Sequence, residues 1–406
     1  MAIIVQKYGG SSLKSTERIN EIADRIIAEQ KDGNQLVVVV SAMGDSTNRL
    51  LDLSYKVSSC LNGREKDLLL STGEQVSSAL TALALQEKGA EAIAMTGQQA
   101  GIEAEYVHGD ARITTIHTSR IERALQSGKI VVVAGFQGCA TNGEICTLGR
   151  GGSDTTAAAL AAALKAERCD IFTDVDGVYS ADPRYITGTK KHTAIDYDNL
   201  LTMAEMGAAV VHPRAVAHAK EHQVPLVVRS SFSDLEGTLV DPSRGSSTSS
   251  LVGLTIQKEL SYLYLTGEMV KGHLFSEMTD SMGLWRRMIR SGNGEPGLMI
   301  KDKDLDQTLT WLNKNKERFG IHTIQHTSGR AAVHMVFRNP EEKRRQGSLM
   351  EDSLHWGEAV AIDGYPSVWS VSVSEDQVVD AAQSMYDAFF GHDVQQPNEL
   401  QEAYGV

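Results

Sequence analysis

Short runs of apolar, β-branched residues recur along roughly the first 245 positions, with amphipathic stretches between them. The runs Ile3–Gln6, Leu36–Ser41, Ala92–Met95, Ile130–Ala134, Asp170–Thr173 and Leu226–Ser230 predict strands. Several are apolar on both faces, as a parallel sheet covered on two sides requires. Helical periodicity fills the intervals at Thr16–Gln30, Glu65–Lys88, Thr155–Ala166, Asp196–Met206 and Arg214–His222. The alternation predicts an α/β domain: a mostly parallel sheet sandwiched by helices.

The pattern changes at Asp241-Pro242-Ser243-Arg244-Gly245-Ser246-Ser247-Thr248-Ser249-Ser250, a Ser- and Gly-rich stretch that reads as a boundary. Beyond it, strands are predicted at Ser261–Leu265, Gly297–Lys301, Ile321–His326, Ala331–Phe337, Ala359–Asp363 and Trp369–Val373. Helices are predicted at Val270–Met282, Leu305–Lys316, Glu341–Leu354 and Asp376–Phe390. That order suggests two small α+β ferredoxin-like sandwiches. The expected division is 1–245, 246–390 and a frayed tail over 391–406.

Composition narrows the class. The 406 residues exceed one compact core, and 41% hydrophobic content is enough for buried sheets. A net charge of −13 argues against nucleic acid or an anionic membrane as partner but leaves small anions open. Cys60, Cys139, Cys146 and Cys169 are scattered, with no CxxC pair. No apolar run reaches membrane-spanning length, and the start lacks a signal-peptide pattern. A cytoplasmic protein in a reducing compartment is expected.

Four loops carry candidate chemistry. Lys7-Tyr8-Gly9-Gly10-Ser11-Ser12 follows the first strand directly, and its glycines and lysine suit terminal phosphates, although it is no Walker sequence. Ser41 to Thr47 ends the second strand, where such sheets bind ligands. Leu148-Gly149-Arg150-Gly151-Gly152-Ser153-Asp154 opens an alanine-rich helix. Its glycines let an anion approach the helix start, Arg150 can grip a carboxylate or phosphate, and Ser153 or Asp154 is expected to cap. Thr173-Asp174-Val175-Asp176-Gly177-Val178-Tyr179, with Arg184 beyond, offers hydroxyls, a ring and a cation for a nucleotide. Glu74 and Gly73 interrupt a long apolar helix; a carboxylate there is either on the solvent face, the commoner case, or paired with a ligand cation, and Gly73 hints at packing or function.

Two motifs are set aside. Gly292 to Gly297 matches G-x-G-x-x-G but contains Pro296 and opens no helix, so a hairpin turn is expected. His218 and His222 are spaced as zinc ligands can be, yet no third ligand stands out, so no resident metal site is expected.

Taken together, the loops resemble the aspartokinases of the amino-acid kinase superfamily. The resemblance covers about residues 3–240. It rests on Lys7 to Ser12, Val40-Ser41-Ala42-Met43-Gly44, Leu70-Ser71-Thr72-Gly73-Glu74, Gly135-Phe136-Gln137-Gly138, the Arg150 loop, Phe172 to Tyr179, His212-Pro213-Arg214-Ala215 and Val228-Arg229-Ser230-Ser231-Phe232. It implies transfer of the ATP γ-phosphate to the side chain of L-aspartate, with Mg²⁺, as a step toward lysine and threonine. It implies Lys7 and Asp154 as the catalytic pair. Substrate would fall to Ser41, Thr47, Glu74, Arg150, Gly151, Gly152 and Ser153, with Arg150 on the α-carboxylate and Glu74 on the ammonium. Nucleotide would fall to Lys7, Tyr8, Gly9, Gly10, Ser11, Thr173, Asp174, Tyr179, Arg184, Ala209 and Val210. Some members carry a nucleotide-contacting lysine where this chain reads Gly207 to Val211.

The resemblance also implies paired ACT domains after residue 250 that bind an amino-acid effector and assemble a homodimer or larger homo-oligomer. Here the effector loop departs: after Leu265 the chain reads Thr266-Gly267-Glu268-Met269 without Pro-Gly. Weak or absent feedback inhibition is expected. Two competing functions are a kinase of a related carboxylate amino acid and a catalytically idle regulatory subunit. An acylated nitrogen would not need Glu74, and an idle copy would not need Lys7, Asp154 and Asp174.

Overall fold

The computed structural model describes residues 1–58, 63–208, 210–241, 250–267, 286–291, 294 and 296–391. Two compact units make up the chain. The first comprises Met1–Val178, Lys191–Ala204 and Ala209–Ser246; the second comprises Tyr179–Lys190, Glu205–Ala208 and Ser247–Val406. Two short stretches of the span 1–245 thus belong with the second unit.

The first unit begins with β1 (Ile3–Tyr8), α1 (Thr16–Lys31), β2 (Gln35–Val40), α2 (Ser46–Val57), α3 (Gly63–Glu87) and β3 (Ala92–Met95). It continues with β4 (Ile102–Ala104), β5 (Ile113–Ile116), α4 (Ser119–Gln126), β6 (Ile130–Ala134), β7 (Gln137–Cys139) and β8 (Ile145–Thr147). Then come α5 (Gly152–Ala163), β9 (Arg168–Thr173), β10 (Ala194–Ile195), α6 (Tyr197–Glu205), α7 (Pro213–Glu221), β11 (Leu226–Ser230) and β12 (Thr238–Val240).

Eight strands form the main sheet in the order β10-β12-β11-β9-β1-β2-β6-β3, and β4, β5, β7 and β8 form a small second sheet. From β11 to β3 every neighbour pair is parallel. One face of the sheet buries Ile4, Leu36, Val38 and Val132 against Ile19, Ile22 and Ile26 of α1 and Leu85 of α3. Helix α5 packs against β1, β2 and β9, and its run Ala157 to Ala161 is fully buried. Alanine there lets helix and sheet approach closely without a helix-propensity penalty. The sheet between helices is the architecture that the sequence predicts. Helix α3 is one continuous helix, so Gly73 and Glu74 sit inside it rather than interrupting it.

The second unit contains β13 (Leu251–Gly267), β14 (Arg286–Arg290), β15 (Pro296–Lys301), α8 (Leu305–Lys314), β16 (Ile321–Phe337), α9 (Pro340–Arg345) and α10 (Gly347–Asp352). It ends with β17 (Glu358–Ile362), β18 (Val368–Ser374) and α11 (Val378–Gly391). The strands close into a barrel in the order β13-β15-β14-β17-β18-β16. Two α+β halves are visible as two cores. One gathers Leu254, Val333, Met335 and Val371 under Met385 and Phe389 of α11; the other gathers Leu263, Leu298, Ile300 and Ile321 under Leu312 of α8. They share β13 and β16, each 17 residues long.

A bulge between Gln257 and Leu260, with Glu259 at φ 59°, lies where one core gives way to the other. His334 is a satisfied core histidine: Ser370 Oγ lies 2.7 Å from Nδ1 and Gln257 Oε1 lies 3.2 Å from Nε2. Burial pushes its pKa down to about 3, so it stays neutral. The predicted helix Glu341–Leu354 is split into α9 and α10. Of the turn expected at Gly292–Gly297, Gly292, Asn293 and Glu295 lie outside the described residues; beside it β14 pairs antiparallel with β15, with Arg290 opposite Pro296. The predicted helix Val270–Met282, most of the boundary stretch and the tail beyond Gly391 lie outside the described residues. Among the described residues no helix is long and apolar enough to cross a membrane.

Tyr8 corrects one site expectation. It alternates into the core of β1, fully buried, and stacks on Phe172 with ring centroids 4.6 Å apart. Its side chain is therefore unavailable to a nucleotide. Tyr8→Ala is expected to cost about 3–5 kcal/mol in a denaturant titration, the usual cost of emptying a buried aromatic site. Tyr8→Phe, which keeps the ring, is expected to leave the KM for nucleotide unchanged.

Candidate active site

The carboxyl ends of β1, β2 and β9 meet at one edge of the sheet, with β2 on one side of β1 and β9 on the other. That reversal of strand order opens a crevice where parallel sheets bind ligands. Gly9 N–H donates to the Phe172 carbonyl at 3.3 Å and Gly44 N–H to the Gly10 carbonyl at 2.9 Å, tying the loops after β1, β2 and β9 together. A cavity of about 590 Å³ opens beside them, lined among others by Lys7, Gly10, Ser41, Thr47, Lys66, Glu74, Arg150, Ser153 and Asp154. The structure thus gathers Lys7, Gly10 and every substrate residue expected from the sequence into one wall. Gly9 is buried and Ser11 exposed at the same turn.

The Arg150 loop is shaped by Gly151. Its φ of 68° lies in the left-handed region, and a Cβ there would fall 2.0 Å from the His212 ring. Gly151 itself is the N-cap of α5, with no side-chain cap; Ser153 and Asp154 lie in the first helical turn instead. That frees Asp154 for Lys7, whose Nζ is 2.6 Å from Oδ1, with both side chains nearly buried. The other Asp154 oxygen accepts the His212 N–H at 3.3 Å. Arg150 is exposed and makes no ion pair among the described residues.

Three residues without an assigned role in the sequence brace this loop. His212 caps α7 by accepting the Arg214 N–H on Nδ1. Arg214 donates to the Leu148 carbonyl at 3.1 Å and pairs with Asp110 at 2.7 Å. Asp67, wholly buried on α3, accepts the N–H groups of Gly109 and Thr147 at 2.9 Å and the Thr147 hydroxyl at 2.7 Å. The sequence signals were the His-Pro-Arg motif and an acidic residue on an apolar helix face.

Glu74 is the electrostatic centre of the cavity. Gly73 beside it lets α3 approach β2 closely: a Cβ at Gly73 would sit 2.9 Å from that of Ala42. Packed that near, Glu74 is 3% exposed, and its Oε1 accepts the Ala42 N–H at 3.0 Å. Oε2 is buried without a hydrogen-bond partner among the described residues. Burial raises the Glu74 pKa to about 7, against the opposing pull of the Ala42 bond. A buried, half-satisfied carboxylate in a cavity wall is a ready seat for a cation.

The remaining nucleotide candidates divide. Thr173 and exposed Asp174 lie at the carboxyl end of β9, the Thr173 hydroxyl donating to Asp174 at 3.0 Å, and partly buried Val210 belongs to the same unit. Tyr179 and Arg184 belong to the second unit, where Arg184 pairs with Asp182 at 2.7 Å. Ala209 lies outside the described residues.

Residues 2–230 match the model of the amino acid kinase family. The chain is 42% identical to an aspartokinase of Bacillus sp. (strain MGA3), over 96% of this chain and 97% of that protein. It is likewise 42% identical to aspartokinase 2 of Bacillus subtilis (strain 168), over 96% and 98%. Among solved structures it resembles aspartate kinase from Synechocystis at 33% identity and TM-score 0.55, over 96% of this chain and 70% of that one. It shares its fold with E. coli aspartokinase III in complex with aspartate and ADP, at TM-score 0.81 and 22% identity over 96% and 100% of the two chains.

The Glu74 environment has a measurable consequence. The folded protein holds this proton up to about pH 7, whereas the carboxyl ordinarily ionises near 4.5. The folded state therefore binds more protons between those values, and the Glu74 contribution to stability is lost as pH rises through that window. Glu74→Gln is expected to stabilise the ligand-free protein more at about pH 8 than at about pH 5. Denaturant titrations of both proteins at both pH values check this; a pH-independent difference would refute it.

Proposed function

The chain belongs to the amino acid kinase family and within it to the aspartokinases, and from that premise we propose the reaction its cavity carries out. It transfers the γ-phosphoryl group of ATP to the side-chain carboxylate of L-aspartate, giving 4-phospho-L-aspartate and ADP. The observation that carries the reading is the meeting, in one cavity, of the Lys7–Asp154 pair, the unpaired Arg150 and the half-satisfied Glu74. An α-amino acid presents one anion and one cation side by side, and Arg150 and Glu74 complement them.

The acceptor carboxylate is ionised at neutral pH, its pKa being about 4, so no general base is needed. A carboxylate oxygen attacks the γ-phosphorus, and the bond from that phosphorus to the bridging oxygen breaks toward ADP. Catalysis reduces to positioning and charge neutralisation. Lys7, held by Asp154, places its ammonium on the phosphoryl group in flight, and the amides of Gly10 and Ser11 add hydrogen bonds. Arg150 grips the α-carboxylate as a fork. Glu74 takes the ammonium, and Ser41, Thr47 and Ser153 complete the hydrogen bonding. Substrate binding returns to the buried Glu74 charge the partner it lacks.

Nucleotide is assigned to the loop after β1 and to Thr173 and Asp174 across the switch point. Magnesium would enter with the nucleotide, with phosphate oxygens and water supplying most of its ligands because Asp154 is already engaged by Lys7. When bound it neutralises charge on the transferring group. The product is a mixed anhydride at the head of lysine and threonine synthesis, and the second unit is assigned to homo-oligomer assembly. A kinase for an N-acylated acceptor would have no use for the Glu74 carboxylate.

Lys7→Ala is expected to lower kcat by about 10²–10³-fold with a modest change in KM, because its partner charge grows in the transition state. Arg150→Ala is expected to raise KM for aspartate by roughly 10–100-fold with a smaller loss in kcat, because its partner is present throughout. Steady-state hydroxamate assays separate the two patterns, and equal kcat losses with unchanged KM would refute the assignment. Glu74→Gln is expected to depress aspartate turnover sharply and leave the poor turnover of N-acetylaspartate unchanged; proportional losses would make Glu74 structural.

A further inference from the structure

Helix α7 ends in a cluster that phosphoryl transfer does not use. His218, Glu221 and His222 follow one another at i, i+3 and i+4, the spacing that brings side chains together on a helix. One ligand atom from each lies within 4.8 Å of the other two. The histidine pair lacks an evident third ligand in the sequence; in the folded helix Glu221 supplies it.

The details favour a cation. The two imidazole rings are 4.4 Å apart between centroids. His222 Nδ1 lies 3.0 Å from the His218 carbonyl oxygen. A carbonyl only accepts, so Nδ1 carries the hydrogen and Nε2 keeps its lone pair. This is the arrangement that fixes tautomer and ring orientation in metal-bound histidines. Lys220, whose ammonium would oppose a cation, is drawn off into an ion pair with Asp198. The carboxylate of Glu221 is exposed and makes no ion pair among the described residues. The cluster also occupies the last turn and C-cap of the helix, the negative end of its dipole.

We propose that His218, Glu221 and His222 form a surface site for a borderline divalent transition ion of the Zn²⁺ class. Two imidazoles and one carboxylate match Zn²⁺, Co²⁺, Ni²⁺ or Cu²⁺; Mg²⁺ and Ca²⁺ prefer all-oxygen shells. The site is therefore chemically distinct from any requirement for Mg²⁺ with ATP. Three ligands from one turn leave the remaining positions to water. A bound ion clips the end of the helix whose other end carries His212 as its cap and Arg214 in its first turn. Among the described residues the other cluster of potential ligands, Asp67, His108 and Cys146, is a weaker candidate. Asp67 already accepts from two backbone N–H groups and the Thr147 hydroxyl, and a metal would have to displace them.

The test is a Zn²⁺ titration of metal-stripped, tag-free, full-length protein by calorimetry, with thermal unfolding as second readout. The expected result is saturable Zn²⁺ binding that raises the unfolding temperature and survives excess Mg²⁺. His222→Ala is expected to weaken binding at least about tenfold, the smaller cost of losing even an outer-shell partner. Glu221→Gln is expected to weaken it measurably and Cys146→Ser to leave it unchanged. His222 and Glu221 are both exposed, so the variants keep the fold. No binding, unchanged affinity in His222→Ala, or loss in Cys146→Ser would each overturn the proposal, the last by placing the ion at Asp67 and His108.

Discussion

The ion pair between Lys7 and Asp154 constrains everything around it. Two opposite charges, each nearly out of water, join the end of β1 to the start of α5. Such a pair contributes little net stability unless its remaining hydrogen-bonding capacity is met, and losing one partner strands a buried charge. Here the second Asp154 oxygen takes the His212 N–H, which draws the start of α7 into the same arrangement. Helix α5 must then begin where it does, and the left-handed Gly151 is what lets it. Arg150 inherits its position from that turn.

Against this satisfied carboxylate stands Glu74, left deliberately short of partners. The contrast divides labour within one cavity. Asp154 spends its charge inside the protein to fix an ammonium, whereas one Glu74 oxygen has no partner among the described residues, which is why the substrate ammonium is proposed there. Asp67 marks a third condition, a buried carboxylate saturated by backbone donors, whose work is to hold the loops at Gly109 and Thr147. Three acidic side chains of similar chemistry thus differ in role because their surroundings differ.

What the sequence makes legible follows from burial. Val37 to Val40 and Val131 to Val133 are apolar on both faces because both faces are covered, and their strands are plain to read. The strands β4, β5, β7 and β8 have three or four residues each, too few to show a period. Helix α2 buries no residue, so its stripe has no core to answer to. Strand β16 reads as two because Thr327 to Arg330, between the two predicted runs, are turn-like or polar and mostly exposed, although the backbone runs on. Tyr8 is misread for the opposite reason: a ligand-like loop follows it, while strand alternation puts its ring in the core. The residues proposed for substrate, which line one cavity, are each found in a short motif. The contacts of the braces are not, because Arg214 reaches Asp110 across 104 positions and no local pattern encodes such a contact.

The shared strands of the second unit set a rule for how this chain can vary over time. Side chains alternate along β13 and β16, and each strand contributes to two cores in turn. Adding or deleting one residue within either strand would carry every following side chain to the opposite face and turn one core inside out. Between the cores the ladder already accommodates an extra residue on β13 just before Leu260 and one on β16 just after it, and its register also shifts near both ends. Exchange of side chains along both strands therefore disturbs the two cores less than a change of length placed away from these irregularities and from the loops outside the barrel.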